Sequence, residues 1–234
     1  MLSSLGLTIW KAPLPQKEYA SAEPFSRITS LTRLVLVNMG AVGLFYWLYA
    51  TDNPKPYSNM AYFLLMGVVC WFYLFPQERI ETKTGGKGPF SKVTIAGSGQ
   101  MILLFLVARL GYQLINAGLL PLRPDNRRWV TFALPWLKIN PFLSVSGIIL
   151  VVVTLEWFYR AYCIGVLRRY CRPETALIVS SLLSSFRGFT LGVVPGIFDL
   201  TLSFYWGKIY LLEGLMPAII VHLVWDLVFI YLSP

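Results

Sequence analysis

Residues 142–167 read FLSVSGIILVVVTLEWFYRAYCIGVL. The run exceeds the ~20 mostly apolar residues that cross a bilayer's hydrocarbon core. It nevertheless holds a carboxylate, Glu156, and a guanidinium, Arg160, four positions apart. Further apolar runs flank it, at 31–50, 60–75 and 93–120 before it and at 175–194, 197–212 and 215–232 after it. Read together, they predict an all-α, polytopic membrane helix bundle of about seven transmembrane spans. Helix breakers separate the runs. Asp52, Pro54 and Pro56 form one turn, Pro76 closes the second run, Pro195-Gly196 divides the fifth from the sixth, and Glu213-Gly214 turns the chain into the last.

Composition agrees. Of 234 residues, 56% are hydrophobic and 13% charged, against about 25% charged in a soluble domain. Residues 1–28 form a polar or interfacial N-terminal segment, without the positive n-region of a cleavable signal. Residues 29–234 are expected to form one transmembrane domain. Within 121–140, Trp129, Phe132 and Trp136 beside Arg127, Arg128 and Lys138 predict a segment at the membrane interface.

The net charge is +9. The basic residues stand between apolar runs, as at Arg168, Arg169 and Arg172, which suits anionic lipid headgroups and argues against nucleic acid as a partner. The loops on the N-terminal side hold more of them, so the N-terminus is expected in the cytoplasm and the C-terminus outside. Cys70, Cys163 and Cys171 show no disulfide or zinc spacing, and the two in apolar runs read as small packing residues.

Ionisable groups inside spans cost roughly 2.5–3.5 kcal/mol each on insertion scales, so they mark function or specific packing. They are Arg33, Arg109, Glu156, Arg160, Arg187, Asp199, Lys208, His222 and Asp226. Arg33 and Lys208 lie near run ends, where a long side chain snorkels. Glu156–Arg160 and His222–Asp226 are i, i+4 pairs, each on one helix face. A hydrogen bond from the imidazole to Asp226 would fix its tautomer. Counted from Leu167, Glu156 lies about 16 Å deep, and counted from Gly214, His222 lies about 12 Å deep. The two motifs are therefore expected at a similar level, around a polar cavity below the cytoplasmic face. Each has a structural reading as well, Glu156–Arg160 as an ion pair between helices and His222 as an interhelical hydrogen-bonding residue. Arg187 reads as a counter-ion for Asp199 or Glu156. Trp157, Phe158, Tyr159 and Trp225 read as packing aromatics.

Three blocks resemble the CAAX-protease and bacteriocin-processing family, also called type II CAAX endopeptidases. Leu155-Glu156-Trp-Phe-Tyr-Arg160 resembles its Glu-Glu-x-x-x-Arg motif. Phe186-Arg-Gly-Phe-Thr190 stands where the family carries Phe-x-x-x-His. Gly207 to Gly214 followed by His222-Leu-Val-Trp-Asp226 resembles the closing region with His-x-x-x-Asn/Asp. The resemblance covers residues 142–234. It implies an intramembrane peptidase in which a glutamate and two histidines activate water and an Asn or Asp holds the oxyanion. By position, Glu156, Arg160, His222 and Asp226 match the family's site. Leu155 replaces the first glutamate, usually assigned as the base. Thr190 replaces the second-motif histidine, and His222 is the only histidine in the chain. A metal would find at most Glu156, His222 and Asp226, and the sequence names no cofactor.

Two readings follow. In one, the chain is a catalytically degenerate relative that binds a hydrophobic peptide or a membrane protein. Its two pairs are then satisfied internally, with Leu155 and Thr190 filling the former catalytic space. In the other, it is a divergent active peptidase near the cytoplasmic face, with Glu156 as base, His222 orienting water, Asp226 on the oxyanion and Arg160 as positioner. Glu156 and His222 then lie within one bridging water of each other.

Overall fold

The computed structural model describes residues 24–49, 56–74, 91–116, 141–189 and 193–232. These form seven continuous helices, with no strand among them. Thr190, the interfacial reading of 121–140 and the side chains of Arg109 and Arg187 lie outside what is described.

Helix α1 is Pro24–Tyr49. It starts upstream of the apolar run, so residues 24–27, expected in the polar lead-in, are already helical. Helix α2 (56–74) is α-helical over Pro56–Val69 and π-helical over Cys70–Leu74. Helix α3 is Lys92–Asn116. Ser91 caps it, its Oγ accepting from the Thr94 N–H at 3.1 Å, which satisfies one of the orphan donors of the first turn. Helix α4 (141–167) is α-helical over Pro141–Leu155, π-helical over Glu156–Ile164 and α-helical again over Gly165–Leu167. Helices α5, α6 and α7 are Pro173–Phe189, Val193–Glu213 and Leu215–Leu232.

Two boundaries show how the sequence sets them. Gly214 adopts φ 101° and its N–H donates to the Tyr210 carbonyl at 2.9 Å. This is a left-handed cap, open to a residue without Cβ. Pro195-Gly196 does not divide α5 from α6 as expected. Both lie in the first turn of α6, where proline's missing N–H would have no intrahelical acceptor in any case.

Side-chain contacts fix the directions. Thr154 meets Phe63 and Trp157 stacks on Trp71, so α2 and α4 run the same way. Arg160 meets Ser203, and Ile164 lies beside Gly207, so α6 runs with them. Gln100 and Gly97 meet Tyr205 and Ile209, so α3 opposes α6. Leu177 packs on Gly207 and Gly188 on Asp199, so α5 opposes α6 as well. Phe198 and Trp206 meet Trp225 and His222, and α7 opposes α6 too. Helices α3 to α7 therefore alternate in direction.

Glycines set the closest approaches. A Cβ on Gly188 would stand 2.9 Å from Asp199 Cβ and 3.2 Å from Gly196 Cα. One on Gly207 would overlap Leu177 Cδ1. Small residues at helix crossings allow the van der Waals packing that holds helices together in lipid.

Among the described residues, many large apolar side chains face outward. Leu36, Leu64, Phe72, Leu103, Val107 and Val193 are among them. Among the described residues one helix, Val145–Leu167, is long and apolar enough to cross a membrane, with mean hydropathy 1.6. Lys208, expected to reach outward, is only 7% exposed. Trp71 on Trp157, Phe158 against Tyr159 and Tyr162, and Phe198 with Trp225 are packing contacts, as expected of the aromatics.

Candidate functional site

The centre of the bundle is polar. Glu156, at the start of the π-helical stretch, is 1% exposed, and so is Arg160. Their i, i+4 pairing holds, with Arg160 Nε 3.4 Å from Glu156 Oε2. From α7, His222 brings Nδ1 to 2.8 Å from Glu156 Oε1. An ionised carboxylate only accepts, so Nδ1–H donates. The similar depths inferred for the two motifs thus become a direct contact between α4 and α7, closer than a bridging water would leave them.

The π-helical stretch, which the sequence did not announce, is part of how the site is held. Its i→i+5 bonds widen the turn. The Tyr159 carbonyl within it accepts a 2.6 Å hydrogen bond from Ser180 Oγ of α5, tying the stretch to its neighbour.

Helix α6 supplies two partners that spacing did not reveal. Arg160 Nη2 donates to Ser203 Oγ at 2.9 Å. Trp206 stacks on His222, with ring centroids 3.5 Å apart and planes 13° from parallel. Ser203 and Trp206 are i, i+3 and so share a face, but nothing in the sequence tied that face to Arg160 or His222. Arg160 Nη1 and Trp206 Nε1 are buried with no hydrogen-bond partner among the described residues.

Asp226 holds a different place from the one expected. Its Oδ2 is 3.8 Å from His222 Nε2, beyond hydrogen-bond length. The tautomer of His222 is set by Glu156 at Nδ1, and Asp226 is a looser, 26% exposed neighbour on the other ring edge. That geometry also bears on metal binding. The two ring nitrogens point apart, so Glu156 and Asp226 cannot share one ion with His222. Among the described residues no three His, Cys, Asp or Glu side chains converge as a ligand set. The trio does not fit a metal centre.

Leu155 is 7% exposed and belongs to the hydrophobic core. Cys70 and Cys163 are buried there as packing residues, Cys163 Sγ lying 3.7 Å from Asn38 Nδ2.

Residues 137–228 match the family model described as Type II CAAX prenyl endopeptidase Rce1-like. No curated protein and no solved structure matches the chain. The matched stretch runs from just before α4 to within α7 and so contains Glu156, Arg160, His222 and Asp226. The three short blocks that resemble this family all lie within the matched stretch.

Proposed function

We propose that this is a catalytically degenerate relative of the CAAX endopeptidases, which acts in the membrane by binding a hydrophobic peptide or a membrane protein. One observation carries the reading. The Glu156 carboxylate is hydrogen-bonded through Oε1 to His222 at 2.8 Å, and its Oε2 faces Arg160 Nε at 3.4 Å, an ion pair without a hydrogen bond, all three side chains being buried. A base that activates water needs an oxygen turned toward that water, and here Leu155 stands where the family has its base. Glu156, Arg160 and His222 then serve as a polar clasp joining α4, α6 and α7. In this reading all seven helices cross the bilayer, with the N-terminus in the cytoplasm beside Arg168, Arg169 and Arg172.

The second reading, a divergent active peptidase, has its own support. A carboxylate bonded to an imidazole is an acid–base pair, and Arg160 Nη1 and Trp206 Nε1 are unspent donors of the kind that stabilise a tetrahedral oxyanion.

Glu156→Ala and His222→Ala separate the two. With a quenched prenylated CAAX peptide and the reconstituted chain, the clasp predicts no turnover in wild type and lower thermal stability in both variants. Wild-type turnover that both variants abolish would overturn it.

A further inference from the structure

The helix long and apolar enough to cross a membrane stops at Leu167. The next residues, Arg168-Arg-Tyr-Cys-Arg172, carry three guanidiniums in the turn from α4 to α5. A charge just past the end of a span stands at the level of lipid headgroups. The turn is closed by its own backbone. Tyr170 N–H and Cys171 N–H both donate to the Leu167 carbonyl at 2.9 Å, and Arg169 N–H donates to the Val166 carbonyl at 3.2 Å. Ala176 N–H donates to the Arg172 carbonyl at 2.9 Å, which opens α5. The arginines are thus carried on a short scaffold whose backbone is largely fixed.

Their surroundings differ. Arg169 has a contact of its own. Arg168 is half-buried, close enough to Tyr210 of α6 to act on it electrostatically, and Arg172 is exposed. Among the described residues neither Arg168 nor Arg172 makes an ion pair, although Glu174 lies two residues past Arg172. A half-buried guanidinium has given up part of its water and gains most from an anion that meets its planar fork, as phosphate oxygens do. A zwitterionic phospholipid carries its own cation beside the phosphate. An anionic one does not, so two arginines at headgroup level without a carboxylate favour the anionic lipid.

We infer that the α4–α5 turn binds the phosphate of an anionic phospholipid through Arg168 and Arg172. Such a contact differs from the general attraction of basic loops to an anionic leaflet. It needs these two side chains, and salt weakens a partly buried pair far less than it weakens charges acting at a distance. It holds whether or not the polar centre is catalytic.

The probes are phosphatidylglycerol and phosphatidylcholine, each with a dansyl group on its acyl chain. They are added in trace to phosphatidylcholine vesicles holding the full chain, and energy transfer from the protein's tryptophans gives the ratio of their association constants. In about 1 M NaCl the Debye length is about 3 Å, so long-range attraction is screened. Phosphatidylglycerol should still be favoured by about fivefold or more, the factor that one basic residue supplies at a membrane surface. Arg168→Ala and Arg172→Ala should each remove most of that preference. Lys92→Ala removes the same charge at the same end of the bundle, from an exposed position on α3, and should leave the preference unchanged. Arg172 is exposed, so its variant keeps the test decisive should Arg168→Ala lower thermal stability. A preference that vanishes in high salt, that falls equally with Lys92→Ala, or that survives both arginine substitutions would overturn the inference. Excess inorganic phosphate should leave the labelled lipid in place, and its displacement would overturn the assignment of the site to a lipid.

Discussion

Replacing Arg160 by methionine tests whether the polar centre is a clasp. Arg160 and Glu156 are each 1% exposed and 3.4 Å apart. At an effective dielectric of about 20, charges at that separation attract by about 5 kcal/mol. The substitution also removes the Nη2 bond to Ser203, typically about 1 kcal/mol. Methionine keeps most of the volume, so the cavity contribution is small. What dominates is the carboxylate left buried with His222 as its only close partner, and breaking a buried pair from one side typically costs about 3–5 kcal/mol. Adding Glu156→Gln removes the stranded charge while keeping an acceptor for His222. The double variant should then lose at least about 2 kcal/mol less than the sum of the two single losses, the coupling expected of contacting charges. Unfolding free energies in lipid bicelles, by steric trapping, complete the cycle. Losses that add within about 0.5 kcal/mol, the behaviour of independent sites, would refute the reasoning.

Three further outcomes follow from the same geometry. His222→Phe keeps an aromatic ring against Trp206 and deletes the bond to Glu156, so thermal unfolding should show a loss of about 1.5–3 kcal/mol, as for hydrogen bonds to charged groups. Trp206→Leu should cost about 0.5–1.5 kcal/mol for the stacked pair beyond the area lost. It should also shift the NMR signal of the chain's single imidazole, because the ring 3.5 Å away is gone. Gly188→Ala puts a methyl 2.9 Å from Asp199 Cβ and 3.2 Å from the Gly196 backbone, so thermal unfolding should show an overpacking cost of about 1–3 kcal/mol.

The helices were legible because their causes are local. Pro56 and Pro173 open helices, Gly214 ends one, and the apolar runs between them had the length of membrane spans. The Pro195-Gly196 break misled because the same dipeptide serves between helices and inside a first turn, and only the structure says which. The contact of Glu156 with His222 was foreshadowed by depth along two separate helices, an estimate that needs only the helical rise. The remainder of the centre depends on tertiary packing. Ser203 and Trp206 matter for what α6 faces, and Ser180 for a carbonyl that the π-helical turn presents, neither of which leaves a pattern in sequence. Asp226 illustrates the limit of spacing, since i, i+4 placed it on the right face of α7 but not within hydrogen-bond reach of the imidazole.

The most direct test of the non-catalytic reading is isotopic. The reconstituted chain is incubated with a prenylated CAAX peptide in water enriched in oxygen-18, and the products are weighed. A hydrolase places one heavy oxygen in the new carboxylate of every molecule it cuts. With Leu155 at the base position and Glu156 held by His222 and Arg160, no labelled fragment should form above the level of protein-free vesicles. A singly labelled fragment made by the wild type and absent with Glu156→Ala would contradict the reading and make Glu156 the base of a working peptidase.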